Sequence, residues 1–323
     1  MISTRLTTQF GLTHPVISAP MALASGGRLA AAVSRAGGLG LIGGGYGDGA
    51  WLEREYAEAG NQGVGVGFIT WSLANAPELL DAALARRPRA LFLSFGDPAP
   101  FAPAILAAGT PLICQVQSLD DARAALDAGA AAIVAQGTEA GGHGARRATM
   151  TLVPEVADLL AARAPEVLLC AAGGIADGRG LAAALALGAD GAVVGSRFWA
   201  SEECLVHPGL QAAVVAASGD DTLRTSAVDI ARGRDWPERF DIRVLRNGFT
   251  DRWHADPEGL RAAIGTEGPR WGDAAAAGDA SVANPIVGEA AGLMRDIRPA
   301  AELLERMTAE AEAILTAGAA RVT

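Results

Sequence analysis

The chain contains no lysine: all 26 basic residues among its 323 residues are arginine. The missing lysine amine excludes Schiff-base chemistry, pyridoxal-phosphate anchoring and a P-loop lysine. Any bound phosphate must therefore be held by backbone N–H groups and arginine. Cysteine is also scarce, since Cys114, Cys170 and Cys204 are far apart and lack histidine partners at metal-ligand spacing. We expect reduced, buried thiols and no metal site.

Long apolar runs and an excess of basic residues are missing too. No segment approaches the roughly 18 unbroken apolar residues of a membrane span, and the N-terminus lacks the apolar core of a signal peptide. The net charge of −10 disfavours contact with the phosphate backbone of nucleic acids. We predict a soluble, cytoplasmic protein that binds neither membranes nor nucleic acid.

Half of the residues are hydrophobic and only 19% are charged, so the chain can bury a large core. Ala-rich helical runs, each followed by a Gly or Pro stop and a short apolar run, recur along the first part of the chain. The stops fall at Gly37, Gly60, Pro88, Gly109, Gly129, Pro165 and Gly188. The predicted strands begin near Val16, Leu39, Val64, Ala90, Pro111, Ala131, Val167 and Gly191.

These eight strands are continuously apolar, which is typical of a parallel sheet covered by helices, and eight strand–helix units match a closed (β/α)8 TIM barrel. An open doubly wound sheet is the alternative, but the glycine cluster at 43–47 lacks the dinucleotide-binding pattern. We predict a barrel over 1–205, a smaller, mainly helical lid or substrate domain over the Arg- and Trp-rich stretch 206–284, and a C-terminal segment, 285–323, that packs back on the barrel.

The C-terminal segment contains an amphipathic run from Pro299 to Leu315. Its apolar face comprises Leu303, Leu304, Met307, Ala311 and Ile314. We expect this face to provide the contact with the barrel.

Two strand ends of the predicted barrel carry small residues. Strands seven and eight end in Gly173-Gly174 and Gly195-Ser196, and barrel enzymes usually bind phosphate in the loops after these strands. Small residues let the backbone approach a ligand and point N–H groups at it. These four residues predict an anion-binding cradle, called the cradle below.

Of the four histidines, only His143 follows the end of a predicted strand at the catalytic end of the barrel, in an exposed, glycine-flanked loop. An imidazole titrates near neutral pH, so His143 is a candidate general base, and a solvated loop histidine is the alternative. His14 falls at the opposite end of the barrel, His207 near the junction to the second domain, and His254 in the lid region.

The ends of strands one and five suggest a flat ligand. Pro20 removes a backbone donor and Met21 supplies a polarisable group that suits the face of an aromatic ring, although a plain core methionine is the alternative. Strand five carries Gln115 and Gln117, and we expect one of them to point inward and the other outward. An inward glutamine can hydrogen-bond the edge of a heterocycle.

Taken together, these motifs resemble the nitronate monooxygenases, formerly called 2-nitropropane dioxygenases. The stretches that carry the resemblance are HPVISAPM (14–21), AAAVSRAGGLGLIGGG (30–45), GTEAGGH (137–143), AAGGIADGRGLAAALALGADGAVVGSRF (171–198) and ECLVHP (203–208). They span nearly the whole chain, and the third and fourth together are specific. The family consists of FMN-binding barrels related to a flavin-dependent NAD(P)H:quinone reductase and to flavin enoyl reductases.

The resemblance implies an FMN site and a reaction. The implied FMN contacts are Ala19, Pro20 and Met21 lining the cofactor, Gln115 at its ring edge, Gly142 and His143 beside the isoalloxazine, and Gly173, Gly174, Gly195 and Ser196 at its phosphate. His143 would abstract the α-proton of a neutral nitroalkane, and the nitronate would be oxidised by O2 to a carbonyl compound and nitrite. The partners implied are a small-molecule substrate and O2, and a homodimer is left open.

Two departures from the related flavin barrels leave alternatives. Those proteins often place a lysine near the pyrimidine edge of the flavin, and an apolar stretch with Glu289 stands at 283–294, where the family has a small polar or aromatic residue. The second hypothesis is an NAD(P)H-dependent FMN reductase acting on quinones or an enoyl thioester, which the same barrel and an arginine-rich lid able to receive a nucleotide phosphate both favour. A flavin-free barrel lyase or isomerase with a phosphorylated substrate is the third.

Overall fold

The structure, a computed structural model, describes residues 2–320. Its strands are β1 (Val16–Ser18), β2 (Leu41–Gly43), β3 (Gly65–Ile69), β4 (Leu91–Ser94), β5 (Leu112–Val116), β6 (Ala132–Gln136), β7 (Gly142–Gly144), β8 (Leu168–Ala172), β9 (Gly191–Val194), β10 (Thr222–Thr225) and β11 (Asp241–Leu245). Its α-helices are α1 (Arg5–Phe10), α2 (Gly27–Arg35), α3 (Gly49–Ala59), α4 (Thr70–Leu73), α5 (Glu78–Ala85), α6 (Ala102–Ala107), α7 (Leu119–Asp127), α8 (Thr149–Arg163), α9 (Gly178–Ala186), α10 (Ser196–Trp199), α11 (Pro208–Ala216), α12 (Ala227–Ala231), α13 (Gly248–Trp253), α14 (Pro257–Ala262), α15 (Ile264–Ala277) and α16 (Ala300–Ala319). Two short 3-10 helices span Gly219–Asp221 and Glu289–Leu293.

Eight parallel strands form one sheet in the order β1-β9-β8-β6-β5-β4-β3-β2. The sheet closes where Leu39, just before β2, bridges Ile17 of β1. Ser18 N–H donates to the Leu39 carbonyl at 2.9 Å, and Leu39 N–H donates to the Val16 carbonyl at 3.0 Å. The predicted (β/α)8 barrel is confirmed, and every barrel strand begins within two residues of its predicted start.

The strand side chains pack in two layers. Ile17, Phe92 and Val134 belong to a cluster inside the barrel that also contains Leu6 and Phe10 of α1. The alternate strand residues pack outward against the surrounding helices. Because α1 adds its apolar side chains to the interior before β1 begins, the free space of the barrel lies at the carboxyl ends of the strands.

The segment 206–284 contains α11 to α15, but it also contributes two strands that the sequence analysis did not predict. β10 pairs antiparallel with β11, and β11 pairs antiparallel with β7, which follows β6 of the barrel. In this register Ile242 lies opposite His143. The segment is therefore joined by strand pairing to the loop that carries the candidate base.

The C-terminal helix α16 packs against α9 and α2, with Leu303, Leu304, Met307 and Ala311 buried as predicted. Ile314 was expected on the same face and is instead 38% exposed. Residues four positions apart lie on the same face of a helix, so Leu315, four residues after Ala311, packs against the core instead of Ile314. The last three residues of the predicted segment 285–323 lie outside the described residues. Among residues 2–320, no helix is both long and apolar enough to cross a bilayer.

Candidate active site

A cavity lies at the carboxyl ends of the barrel strands. It is lined by all ten residues predicted for the site, Ala19, Pro20, Met21, Gln115, Gly142, His143, Gly173, Gly174, Gly195 and Ser196. Segment 206–284 adds Arg232 and Trp236 to the lining, and the chain after it adds Ile286 and Ala290. The fold thus brings the predicted residues together, while the role of each residue stays a prediction.

The glycine pair after β8 has a backbone conformation that favours glycine. The φ angle is +103° at Gly173 and +75° at Gly174, within the left-handed region where a side chain is strained. A Cβ on Gly173 would lie 2.8 Å from Thr149 Oγ1 and 2.9 Å from the Gly137 carbonyl oxygen. Both glycines line the cavity, so the chain presents bare backbone to a ligand there.

The other half of the cradle follows β9. Ser196 Oγ accepts a hydrogen bond from Gly288 N–H at 2.9 Å, which leaves the serine O–H hydrogen to donate to a ligand. The same hydrogen bond joins the C-terminal part of the chain to the cradle. An anion bound here would meet a hydroxyl donor as well as backbone.

Residues 283–294 cover one side of the cavity. A Cβ on Gly141 would collide with the backbone nitrogen of Gly288, so the two backbones pack directly against each other. Ile286 and Ala290 line the cavity. Glu289, whose role the sequence left open, instead forms an ion pair with Arg243 at 3.0 Å.

Three glutamines form a hydrogen-bonded group that reaches the backbone of His143. Gln115 Nε2 and Gln117 Nε2 both donate to Gln136 Oε1, at 3.1 and 2.9 Å, and Gln136 Nε2 donates to the His143 carbonyl oxygen at 3.2 Å. The expectation that Gln115 and Gln117 point to opposite sides is wrong. Successive side chains of a strand alternate between its two faces, so residues two positions apart, such as Gln115 and Gln117, share one face. The sequence analysis missed Gln136. The one feature that could have pointed to it is its position as a polar residue at the end of the apolar strand β6.

His143 is not in an exposed loop, as the sequence suggested. It lies in β7, where pairing with β11 buries it, and only 7% of the residue is exposed. Its Nε2 atom lies 2.9 Å from Oδ2 of Asp229 in α12. The imidazole also lies parallel to the indole of Trp236, with ring centroids 3.3 Å apart and an interplanar angle of 8°. Sequence reasoning missed both partners, which are distant from His143 along the chain.

The surroundings of His143 favour its neutral form. Burial lowers the pKa of His143 from its usual value of 6.5. The hydrogen bond and the charge of Asp229 oppose this shift, and the charges of Arg232 and Arg224 add to it. Because the net direction is downward, the imidazole is neutral at pH 7 and keeps a lone pair that can accept a proton.

An aromatic cluster surrounds Trp236. Phe95, Trp71 and Phe240 lie edge-on to the indole with centroid distances of 5.1, 5.3 and 6.4 Å. Phe95, directly after β4, has a φ of +63°, a strained conformation of the kind that is concentrated at functional sites. Its ring also lies edge-on to His143 at 6.2 Å. The one sign of this aromatic cluster in the sequence is the tryptophan content of segment 206–284.

Two arginines, the buried Arg243 and the half-buried Arg224, hydrogen-bond the loop before β7. Arg224 donates to the carbonyl oxygens of Thr138 and Ala140, and Arg243 donates to that of Thr138. Burial and the nearby charge of Arg243 lower the pKa of Arg224 to about 10. Both side chains thus donate hydrogen bonds to the loop that leads to His143.

A second pair of arginines lies beside the aromatic cluster. The guanidinium carbons of Arg232 and Arg234 lie 5.7 and 4.1 Å from the ring centroid of Tyr46. Within the described residues neither of them forms an ion pair, and Arg232 lines the cavity. An anionic ligand in the cavity would therefore meet an uncompensated positive charge.

Other reactive groups are remote from the cavity or inert. The three cysteines are buried, as expected, and burial raises the pKa of Cys114 and Cys204 to about 12. In the part of the chain that the structure describes, no three His, Cys, Asp or Glu residues are grouped to hold a metal ion. His207 caps α11, with Nδ1 accepting from Gly209 N–H at 3.1 Å, and His254 is exposed.

Known proteins share this fold and sequence. A sequence model of the family described as nitronate monooxygenase matches residues 3–62 and 72–310. The chain is 34% identical to a nitronate monooxygenase of Neurospora crassa, covering 96% of this chain and 92% of that protein. Among solved structures, FabK from Thermotoga maritima is similar with a TM-score of 0.84 and 31% identity over 100% of both chains. A nitroalkane oxidase from Streptomyces ansochromogenes has a TM-score of 0.79 and 27% identity over 96% of this chain and 99% of that one.

Proposed function

Because this chain belongs to the nitronate monooxygenase family and is an oxidoreductase, we propose that it uses FMN to oxidise alkyl nitronates with O2, giving carbonyl compounds and nitrite. The observation that most supports this reaction is a buried His143 with a lowered pKa in the wall of a cavity that also contains the cradle. A small nitroalkane needs such a base, and a flavin phosphate needs such a cradle.

The residues of the cavity fit FMN. The bare backbone at Gly173, where a Cβ would collide with its neighbours, and the free O–H of Ser196 suit a phosphate that no lysine can bind. The proposed contacts are Gly173, Gly174, Gly195 and Ser196 at the phosphate, Ala19, Pro20, Met21 and Gly142 at the ring system, and Gln115 at the ring edge. When bound, the flavin supplies the acceptor for electrons from the nitronate.

His143 supplies the proton transfer that a neutral nitroalkane requires. It takes the α-proton, the C–H bond breaks, and the electron pair moves into the nitro group to form the nitronate. Arg232 on the cavity wall attracts the resulting anion. A preformed nitronate has already lost this proton, so its oxidation does not depend on the base.

The test is the absorbance of the flavin under anaerobic conditions, after the purified protein is mixed with an alkyl nitronate, NADH or NADPH in parallel cells. Reduction by the nitronate alone supports the proposed reaction. Reduction only by a nicotinamide contradicts it. A protein that carries no flavin after gentle purification contradicts every flavin-dependent reaction and favours the lyase or isomerase hypothesis.

The second candidate is an NAD(P)H-dependent FMN reductase acting on quinones or an enoyl thioester. Arg232, which lines the cavity, and the nearby Arg234 favour it, because neither forms an ion pair among residues 2–320 and both can receive a nucleotide phosphate. In either reaction we propose that residues 206–284 form the substrate-side domain over a barrel of residues 1–205. Rapid bleaching of the flavin by NADH or NADPH distinguishes this candidate from the first.

A further inference from the structure

We propose that Asp229 is a positioning residue: it holds His143 in the tautomer with hydrogen on Nε2, so that Nδ1 is the nitrogen that accepts the substrate proton. The catalytic consequence rests on the proposed function. The tautomer itself does not, and it can be measured independently of any reaction.

The geometry of the pair carries the first step. His143 Nε2 and Asp229 Oδ2 are 2.9 Å apart, and only 6% of each side chain is exposed. A carboxylate has no hydrogen to give, so the hydrogen between the two atoms must be on Nε2. Neutral imidazole carries a single N–H hydrogen, and Nδ1 is therefore left with its lone pair.

The hydrogen bonding of Asp229 differs from that of two other buried carboxylates. Asp190 accepts from Arg5 at 2.8 and 2.7 Å and from Leu169 N–H at 2.9 Å. Glu55 accepts from Gly27 N–H at 3.0 Å and from Arg54 Nε at 3.2 Å. In the described chain, Asp229 Oδ1 has no partner and His143 is the one donor to the carboxylate.

A buried carboxylate costs free energy unless it is paired or hydrogen-bonded. A purely structural role would be expected to provide Asp229 with donors such as those of Asp190 and Glu55. That the imidazole is its one donor indicates that the carboxylate serves His143 rather than the packing of α12.

The other groups around His143 fix the orientation of its ring but do not select its tautomer. Trp236 stacks on the face of the ring and fixes its plane, and Phe95 lies at its edge. The charged groups that act on the ring are Asp229, Arg232 and Arg224. Neither arginine can accept a hydrogen, so Asp229 alone among these three charges can select the tautomer.

The first experiment records the ring nitrogen NMR spectrum of the full-length, 15N-labelled protein at neutral pH, and the spectrum of His143→Asn identifies the signals of His143. We expect the Nε2–H tautomer in the wild type and a loss of this preference in Asp229→Ala. A wild-type His143 with hydrogen on Nδ1 overturns the proposal, as does an Asp229→Ala protein that keeps the wild-type tautomer. The wild-type spectrum alone can refute the proposal if the alanine variant does not fold.

The second experiment measures kcat/KM against pH in Asp229→Asn, with a neutral nitroalkane and with its preformed nitronate. The base must be unprotonated, so activity on the nitroalkane falls below the pKa of His143. Since the charge of Asp229 raises this pKa, its removal should move the acid limb to lower pH. The plateau should fall by about 100-fold, within the range for general-base catalysis, while the nitronate reaction is largely retained.

The matched control is Asp235→Asn, which makes the same change of charge at an exposed residue of the loop that follows α12 and should leave both reactions and the acid limb unchanged. Equal loss on both substrates with an unmoved limb would refute the positioning role. If the wild type oxidises neither substrate, the proposed function fails, and the NMR spectra still decide whether Asp229 sets the tautomer.

Discussion

The cradle and the wall around His143 belong to the same cavity but are built from the chain in different ways. The cradle comes from one continuous stretch, in which β8, α9 and β9 follow one another. The wall combines Phe95, His143, Asp229 and Trp236, which come from four separate places in the sequence. Recognition by backbone needs only small residues at two neighbouring strand ends, whereas proton transfer needs several side chains arranged around one imidazole.

Because of this difference, changes in the two regions should affect two different properties, the binding of the cofactor and the rate of the reaction. A side chain added at Gly173 or Gly174 would press against neighbouring protein atoms and shift the backbone that meets the ligand, so it should abolish cofactor binding. A change in the wall leaves the cradle intact, so it should slow the reaction while the flavin stays bound. The four predictions below test this separation.

The largest effect is expected for Gly174→Val, which should abolish FMN binding and the yellow colour of the protein. A Cβ at Gly174 would lie 3.3 Å from Glu139 Cβ, on a backbone with a φ of +75° at the cavity. The matched control is Gly109→Val, whose φ of +67° is similar and where nothing lies within 4 Å of an added Cβ. The control should lose stability but keep FMN. Flavin retained by a folded Gly174→Val protein would show that the cradle does not hold the phosphate.

His143→Asn should lower kcat/KM for a neutral nitroalkane by roughly 10²- to 10⁴-fold, the range for loss of a general base. The same variant should largely keep its activity on the preformed nitronate and its full complement of FMN. Stopped-flow flavin reduction with both substrates provides the measurement, and His254→Asn, at an exposed residue, is the control. Similar losses on the two substrates would remove His143 from the role of base.

Trp236→Leu should lower turnover of the nitroalkane by up to about 10-fold, because an aromatic pair contributes ~0.5–1.5 kcal/mol beyond the area it buries. The expected loss is smaller than for His143, since the indole fixes the plane of the ring and exchanges no proton. Trp71→Leu removes an indole from the same cluster, 5.3 Å from Trp236, and serves as the control. Loss of FMN in Trp236→Leu would contradict the separation of wall and cradle.

The smallest effect is expected for Arg232→Gln, which should raise KM for a nitronate by less than about 5-fold, corresponding to ~1 kcal/mol for a solvent-accessible ion pair. The increase should shrink as salt is added, because salt screens the attraction. Arg261→Gln on α14 makes the same change of charge at a surface ion pair and should have no effect. A KM that is unchanged at low salt would show that Arg232 does not attract the anion.

The barrel and the position of the cradle could be predicted from the sequence because each depends on neighbours along the chain. Helix stops such as Gly129 and Gly188 precede strands that begin within a few residues, and parallel strands place their carboxyl ends at one end of the barrel. Gly173 and Gly195 therefore come together in any barrel with these strands.

The environment of His143 could not be predicted in this way. The sequence suggested a solvated loop, because glycines and arginines surround the histidine. Burial arises from β11, which pairs with β7 from a part of the chain that carries no parallel-strand pattern. Short antiparallel strands such as β7 and β10 have weak sequence signals and form through tertiary pairing.

The sequence by itself determined the barrel, the bare backbone of the cradle and the absence of any lysine chemistry, since these follow from local periodicity, from glycine and from composition. Only the tertiary structure decided that His143 is buried, that its pKa is lowered, and that Asp229 and Trp236 are its partners. The physical reason is that hydrogen bonding, stacking and desolvation of an imidazole depend on distances in space. Residues separated by about 90 positions acquire such distances only when the chain has folded.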